Sequence, residues 1–274
     1  MKKKTLKIIA AFTAFAILAG IGWFADAMVG NPISKMLAEI VAEKHIAETY
    51  ADTDFYVERI SYSFKDGKYH AFVKSPTSID TEFSLSITML GKVYHDTYES
   101  VLDGFNTARR LDGEYRTLTD TLFENPSFPY TCYISYGTLE IYPKEAFIDP
   151  AVDDLPSYAI NQSTLILDKV YDIRELGRQA GHLVIYVDSD TVSINAAAKM
   201  MMDIKVLFDD AGIPFAAMDF ILQYPRPEEG KRPEGSVRVA HFPYDDIHAD
   251  GMAERIEAAD KALKEYYAEQ DSKK

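Results

Sequence analysis

The chain has 274 residues, with 29 Lys and Arg against 43 Asp and Glu, six His and one Cys, for a formal net charge of −14. That acidity opposes sequence-independent binding to nucleic-acid phosphates, so no nucleic-acid partner is expected. A lone cysteine, Cys132, leaves no intramolecular disulfide, and stability has to come from packed cores.

The first element is apolar. Lys2, Lys3, Lys4 and Lys7 precede an uncharged run from Ile8 to Ala25, which as a helix covers about 27 Å, close to a bilayer core. Lysines on one side only predict a single-pass signal-anchor in the cell membrane, N-terminus cytoplasmic and the remaining chain extracytoplasmic. Trp23 stands where an interfacial aromatic would anchor such a helix. The alternative is a cleaved signal peptide with Ala25-Asp26-Ala27 as the site and a freely secreted product. Lipid attachment is excluded because it needs a cysteine directly after the cleavage site, and the only cysteine is Cys132. About seven residues would lie in the cytoplasm, too few to hold a partner there. Beyond the anchor, 25 basic residues stand against 42 acidic ones.

Asn31 as N-cap and Pro32 at the first helical position open a helix over about 32–51, with Ile33, Leu37, Ile40, Val41, Ala47 and Tyr50 as its apolar face. Three strands follow: Phe55 to Phe64, Tyr69 to Ser75 and Glu82 to Met89. Asp66-Gly67 predicts a two-residue type I′ hairpin, pairing Phe64 with Tyr69, Tyr62 with Ala71, Ile60 with Val73 and Ser63 with His70. Val101, Phe105, Ala108, Leu111, Tyr115, Leu118 and Leu122 make a helical stripe over 97–124, stopped by Pro126 and Pro129. Residues 131–142 read as a strand returning to the same sheet. The stretch 143–163, with Pro143, Pro150 and Pro156, reads as a linker.

The second module opens with a short strand over 164–167 and a helix carrying Val170, Ile173, Leu176 and Ala180. His182 to Val187 reads as a buried strand. Ser193 caps a helix through Ile194, Ala197, Met201, Ile204 and Phe208, which Gly212 and Pro214 end. Strands over 217–224 and 236–242 flank a solvated, mobile loop. A last helix from Asp250 carries Met252, Ile256, Ala259, Leu263 and Tyr266, and its lysine-ended tail is expected to fray. The expected class is α+β: an N-terminal transmembrane helix (1–30), then two α+β domains (31–142 and 164–274) joined by a linker (143–163), each a small, mainly antiparallel sheet covered by helices.

Four stretches carry a family likeness: GNPISK (Gly30 to Lys35), FNTARRLDGEY (Phe105 to Tyr115), LDKVYDIRELGRQAGHLVIYV (Leu167 to Val187) and DAGIPFAAMDFIL (Asp210 to Leu222). With these the chain resembles the YfjL-like family, uncharacterised membrane-anchored proteins of Gram-positive bacteria. The resemblance implies an anchor and two domains, and it carries over no catalytic residue.

Candidate chemistry is sparse. Cys132 lies in a strand with no nucleophile signature and reads as core. His45 shares a helix face with Glu48, but one such pair is not the two-histidine helix of a zinc protease. His70, His95 and His248 read as exposed, and His182 as the cap of its strand. Asp245, Asp246, His248 and Asp250 form the densest polar cluster; it matches no calcium loop, and Asp250 also suits the N-cap of the last helix. No phosphate loop, serine elbow or paired-cysteine site occurs. No catalytic, cofactor-binding or metal-ligating residue is assigned, and no cofactor is expected. The function expected is that of a membrane-anchored extracytoplasmic protein binding an envelope protein or wall component. The alternative is a metal-dependent extracytoplasmic hydrolase using Asp245, Asp246 and His248.

Overall fold

The apolar run folds as expected, into one helix, α1 (Lys2–Val29). It is long and apolar enough to span a membrane, and none of its apolar window is buried in the protein. The computed structural model describes residues 2–149, 155–227 and 230–272. Residues 150–154 of the expected linker, 228–229 of the expected loop and the final two of the tail lie outside the described residues. The chain divides into two units, Met1–Asn106 and Thr107–Lys274.

In the first unit α1 gives way to α2 (Pro32–Thr49) at Gly30-Asn31. The Asn31 side chain accepts from the Ser34 backbone N–H at 2.7 Å. Gly30 takes φ +70, and a Cβ there would lie 2.4 Å from the Tyr69 hydroxyl, which itself bonds Asn31 at N and O, each at 2.8 Å. Gly30→Ala therefore incurs both the left-handed penalty and a collision, expected to cost the first unit about 2 kcal/mol or more. An unchanged thermal midpoint for the first unit would refute this.

The sheet of the first unit orders β1 (Tyr56–Ser63), β2 (Lys68–Lys74), β3 (Glu82–Thr88) and β4 (Val93–Asp96), all antiparallel. The predicted hairpin register is corrected by two residues: Tyr62 pairs with Tyr69, Ile60 with Ala71 and Ser61 with His70. A type I′ turn needs positive φ at both central residues. Only Gly67 has it, at +65, so a four-residue loop forms and Phe64 is left exposed. A two-residue shift preserves facing, so Tyr69, Ala71 and Val73 still point into the core. The covering face of α2 is the small stripe Ala38, Ala42 and Ile46, which lets the helix close on the sheet; Ile33, Met36 and Ile40 stay exposed.

The helix expected over 97–124 is two helices, α3 (Glu99–Leu102) and α4 (Phe105–Phe123), broken where Gly104 takes φ +83. The strand after it, β5 (Cys132–Leu139), does not return to the first sheet. It pairs antiparallel with β8 (Gly181–Asp188), within the second unit, so the assignment of 107–142 to the first domain is corrected. Between them come β6 (Ile141–Tyr142), β7 (Ile160–Asn161), paired in parallel, and α5 (Ile173–Ala180), capped by Asp172. The short strand expected at 164–167 does not form.

The remaining elements are α6 (Ile194–Asp210), capped by Ser193 as expected, β9 (Ala217–Gln223), β10 (Ser236–Pro243) and α7 (Met252–Ser272). The sheet order is β10-β9-β8-β5, with only β8 and β9 parallel. One face of this sheet, with Leu183, Ile185, Met218, Phe220 and Val239, packs on α6 and α7 residues including Met201, Phe208 and Ile256. By strand alternation His182 and Asp219 project from the other face.

Candidate functional site

Five separated segments of the second unit meet around His182. Its Nδ1 bonds the Glu140 carboxylate, and its Nε2 bonds Asp219 Oδ1 at 2.9 Å. Glu140 stands just past β5, where its N–H bonds the Ala180 carbonyl and its own carbonyl accepts from Ile160. Tyr142 donates to its second oxygen at 2.6 Å. His241 enters from β10, whose register slips between Val239 and Phe242. This bulge puts His241 at φ +48, aims its backbone N–H at Asp219 Oδ1 (2.6 Å) and stacks its ring on His182 with centroids 4.7 Å apart. Tyr158 completes the group, its hydroxyl 2.6 Å from His241 Nδ1.

An imidazole with a carboxylate on each nitrogen carries both protons. Burial alone would lower the His182 pKa, but the hydrogen bonds and charges of Asp219 and Glu140 reverse that and raise it to about 9. Burial likewise pushes Glu140 and Asp219 upward, and the bonds from His182 outweigh it, holding both carboxyls below their ordinary values. Burial and the charges of Glu140 and Asp219 raise Tyr158, so it stays a neutral phenol. The group thus reads as a fixed carboxylate–imidazolium–carboxylate row with a second imidazole beside it.

Tyr158 also lines an open cleft of about 570 Å³. Its floor is apolar, with Ile213 and the buried Phe208 and Phe215; its rim carries Arg178, Asp209 and Tyr244. Tyr244 donates to Asp209 at 2.8 Å, and the Lys205 ammonium lies 3.7 Å above the Tyr244 ring. A cleft with an apolar base and a few convergent polar groups has the character of a small-ligand or peptide site.

Of the candidate ligands read from the sequence, Asp245 lines this cleft, and Asp246, His248 and Asp250 are not among its lining residues. Arg255 donates through its guanidinium to the Asp246, His248 and Asp250 backbone carbonyls at 3.0, 2.8 and 2.6 Å. Arg255 ties that segment together through its backbone carbonyls, and among the described residues its carboxylates and imidazole do not gather into a metal-ligand group. The last helix starts at Met252, two residues beyond Asp250. His45 bonds Asp96 at 3.1 Å, alongside Tyr50 at 2.7 Å. His70 bridges Asp66 and Ser86 on the wet face of the first sheet. The residues brought together, Glu140, Tyr158, His182, Asp219 and His241, share no local spacing. The one signal that could have drawn attention to them was His182 at the head of an otherwise wholly apolar strand.

Cys132 is partly buried, and burial followed by the Asp188 charge pushes its thiol up to about 11. At pH 8 the native protein should therefore react with a maleimide about 10–100-fold more slowly than a free cysteine, and at the ordinary rate in denaturant. Equal native and denatured rates would rule this out.

Two family models match this architecture, the YfjL-like N-terminal domain over residues 2–97 and the YfjL-like C-terminal domain over residues 114–257. The second alone spans more than half of the chain. The chain belongs to the YfjL-like family. No curated protein and no solved structure gives a significant match. The C-terminal YfjL-like match contains all five residues of the His182 group.

Proposed function

We propose that this YfjL-like protein is anchored in the cell membrane by α1, holds both units outside the cytoplasm, and works by binding an envelope protein or wall component through its second unit. The observation that carries the binding role is the cleft at Tyr158, apolar at its base and polar at its rim, continuous through Tyr158 with an organised charged group. Three features support the anchored arrangement. α1 is apolar and unburied, with lysines only at its start. Exposed Ile33, Met36 and Ile40 extend that apolar surface into α2. The units together are strongly acidic, which suits solvated life outside an anionic leaflet better than nucleic-acid contact.

The test uses Gln179, exposed on the cleft rim. A Gln179→Cys variant in intact cells should react with a membrane-impermeant maleimide, over the low background of the slow Cys132. Labelling only after permeabilisation would overturn the extracytoplasmic placement. A photo-crosslinker placed at Gln179 should then capture an envelope component that the same group at Thr121, on α4, does not. Identical capture at both positions would overturn the cleft as the binding site.

A further inference from the structure

We propose that Glu140, His182 and His241 form a binding site for a divalent metal ion of the zinc class. One donor atom from each of the three lies within 4.8 Å of the others. Two imidazoles and one carboxylate are a donor set suited to zinc and its neighbours, and unsuited to calcium or magnesium, which take oxygen. Three protein ligands leave a fourth position for water or a bound molecule.

The second observation is what stands behind each ligand. A metal-bound histidine ordinarily donates its other ring N–H to a carboxylate or other acceptor, and a ligating carboxylate is itself hydrogen-bonded. Here His182 Nε2 faces Asp219 at 2.9 Å, His241 Nδ1 faces the Tyr158 hydroxyl at 2.6 Å, and the second Glu140 oxygen accepts from Tyr142 at 2.6 Å. All three outer partners are in place, and they leave one donor atom of each residue for the shared centre. The ligating atoms are then His182 Nδ1, His241 Nε2 and the Glu140 oxygen now bonded to His182. With no metal, the proton shared between His182 and Glu140 takes the ion's place. Donors each about 2.1 Å from one tetrahedral ion lie roughly 3.4 Å apart, so Glu140 has to swing away from His182 to admit it. With the ion bound, His241 carries its proton on Nδ1, which donates to Tyr158. The proton leaves to solvent.

The β10 bulge gives the site its economy of sequence. His241 is one of two non-glycine residues with positive φ among the described residues, and the bulge is what directs its ring onto His182. His241→Asn is the informative variant, since asparagine accepts that backbone conformation and lacks the imidazole.

The inference is independent of where the protein resides, so failure of the labelling experiment and failure of a metal titration are separate results. The experiment uses the full chain, purified in detergent and stripped with EDTA. Zn²⁺ should bind at one equivalent, and Co²⁺ should give the visible absorption of a low-coordinate nitrogen–oxygen site. His241→Asn should weaken Zn²⁺ at least about 100-fold with unchanged circular dichroism, and Tyr158→Phe should weaken it about 10–100-fold. His248→Asn should change nothing. No stoichiometric Zn²⁺ binding below about 100 μM, or a His241→Asn protein binding as tightly as the parent, overturns the proposal.

Discussion

Replacing His182 with leucine is expected to destabilise the second unit by about 3–5 kcal/mol, the range for removing one partner from a buried ion pair. The imidazolium is 5% exposed, and it separates two carboxylates, Glu140 at 10% and Asp219 at 29%. Leucine fills the space but leaves those charges facing one another, and the better-buried Glu140 bears most of the loss. For a unit of this size each kcal/mol moves the midpoint by about 2–4 °C, so a fall on the order of 10 °C is expected. The pH profile identifies the cause, measured in chelator so that only protons compete. The His182 pKa is raised in the fold to about 9, so its contribution is complete below its unfolded value near 6.5 and disappears as pH rises through about 9. The Glu140 and Asp219 values are lowered, so theirs is present above the ordinary carboxylate range and disappears as pH falls. Tyr142, Tyr158 and His241 face the same group; Tyr142 and His241 also help to lower Glu140, and His241 helps to lower Asp219. The parent should be most stable between these limits. His182→Leu should differ from it most near pH 7, and least at pH 10 and in acid. A pH-independent difference under about 1 kcal/mol would show that the row does not hold the unit together.

The elements were legible where period and capping agreed. Asn31-Pro32, Ser193, and the stripe Ile194, Ala197, Met201, Ile204 and Phe208 each predicted a helix that formed, because cap and apolar spacing are local properties. Pairing was less legible. The strand Cys132–Leu139 has the composition to join either sheet; its partner is decided by Gly137, which clears Thr119 of α4, and by the Leu183 row beyond. Asp66-Gly67 predicted the right hairpin with the wrong loop, since the dipeptide permits two positive φ values and does not require them. The polar group around His182 was least legible. Its members are spread from residue 140 to residue 241, and a long sequence separation carries no spacing rule. The slip in β10 that aims His241 is marked only by one irregular step, the inward apolar spacing going from two (Val237 to Val239) to three (Val239 to Phe242). The Asp245–Asp250 cluster is dense in sequence only: Arg255 bonds its backbone carbonyls, and Asp245 belongs to the cleft lining.

Gly181→Ala should be strongly disruptive, costing about 2–4 kcal/mol, above the usual range for overpacking because rigid groups are hit on two sides. Gly181 joins α5 to β8, and its backbone is ordinary, φ −69 and ψ 128, so conformation is not the reason for glycine. Space is. A Cβ there would lie 2.4 Å from the Gly177 carbonyl oxygen and 2.4 Å from the Tyr115 hydroxyl. Gly177, one turn earlier, is equally hemmed in, 2.6 Å from the Tyr115 ring and 2.7 Å from the Pro214 carbonyl oxygen. The two glycines form a slot into which Tyr115 of α4 is driven until it is wholly buried, and there its hydroxyl donates to Pro214 at 3.0 Å. That contact fixes α5 against the start of β8 and the loop into β9, one residue from His182 and within the lining of the cleft. The same substitution should therefore loosen the His182 group as well as lower stability. In metal-free protein, Gly181→Ala should weaken the protection of the Leu183 and Ile185 amides from hydrogen exchange, while amides of β2 in the first unit keep theirs. Gly113→Ala, on α4 with nothing within 4 Å of its Cβ, should instead stabilise slightly, by up to about 1 kcal/mol through helix propensity. Equal behaviour of the two variants would mean that the slot does not constrain Tyr115.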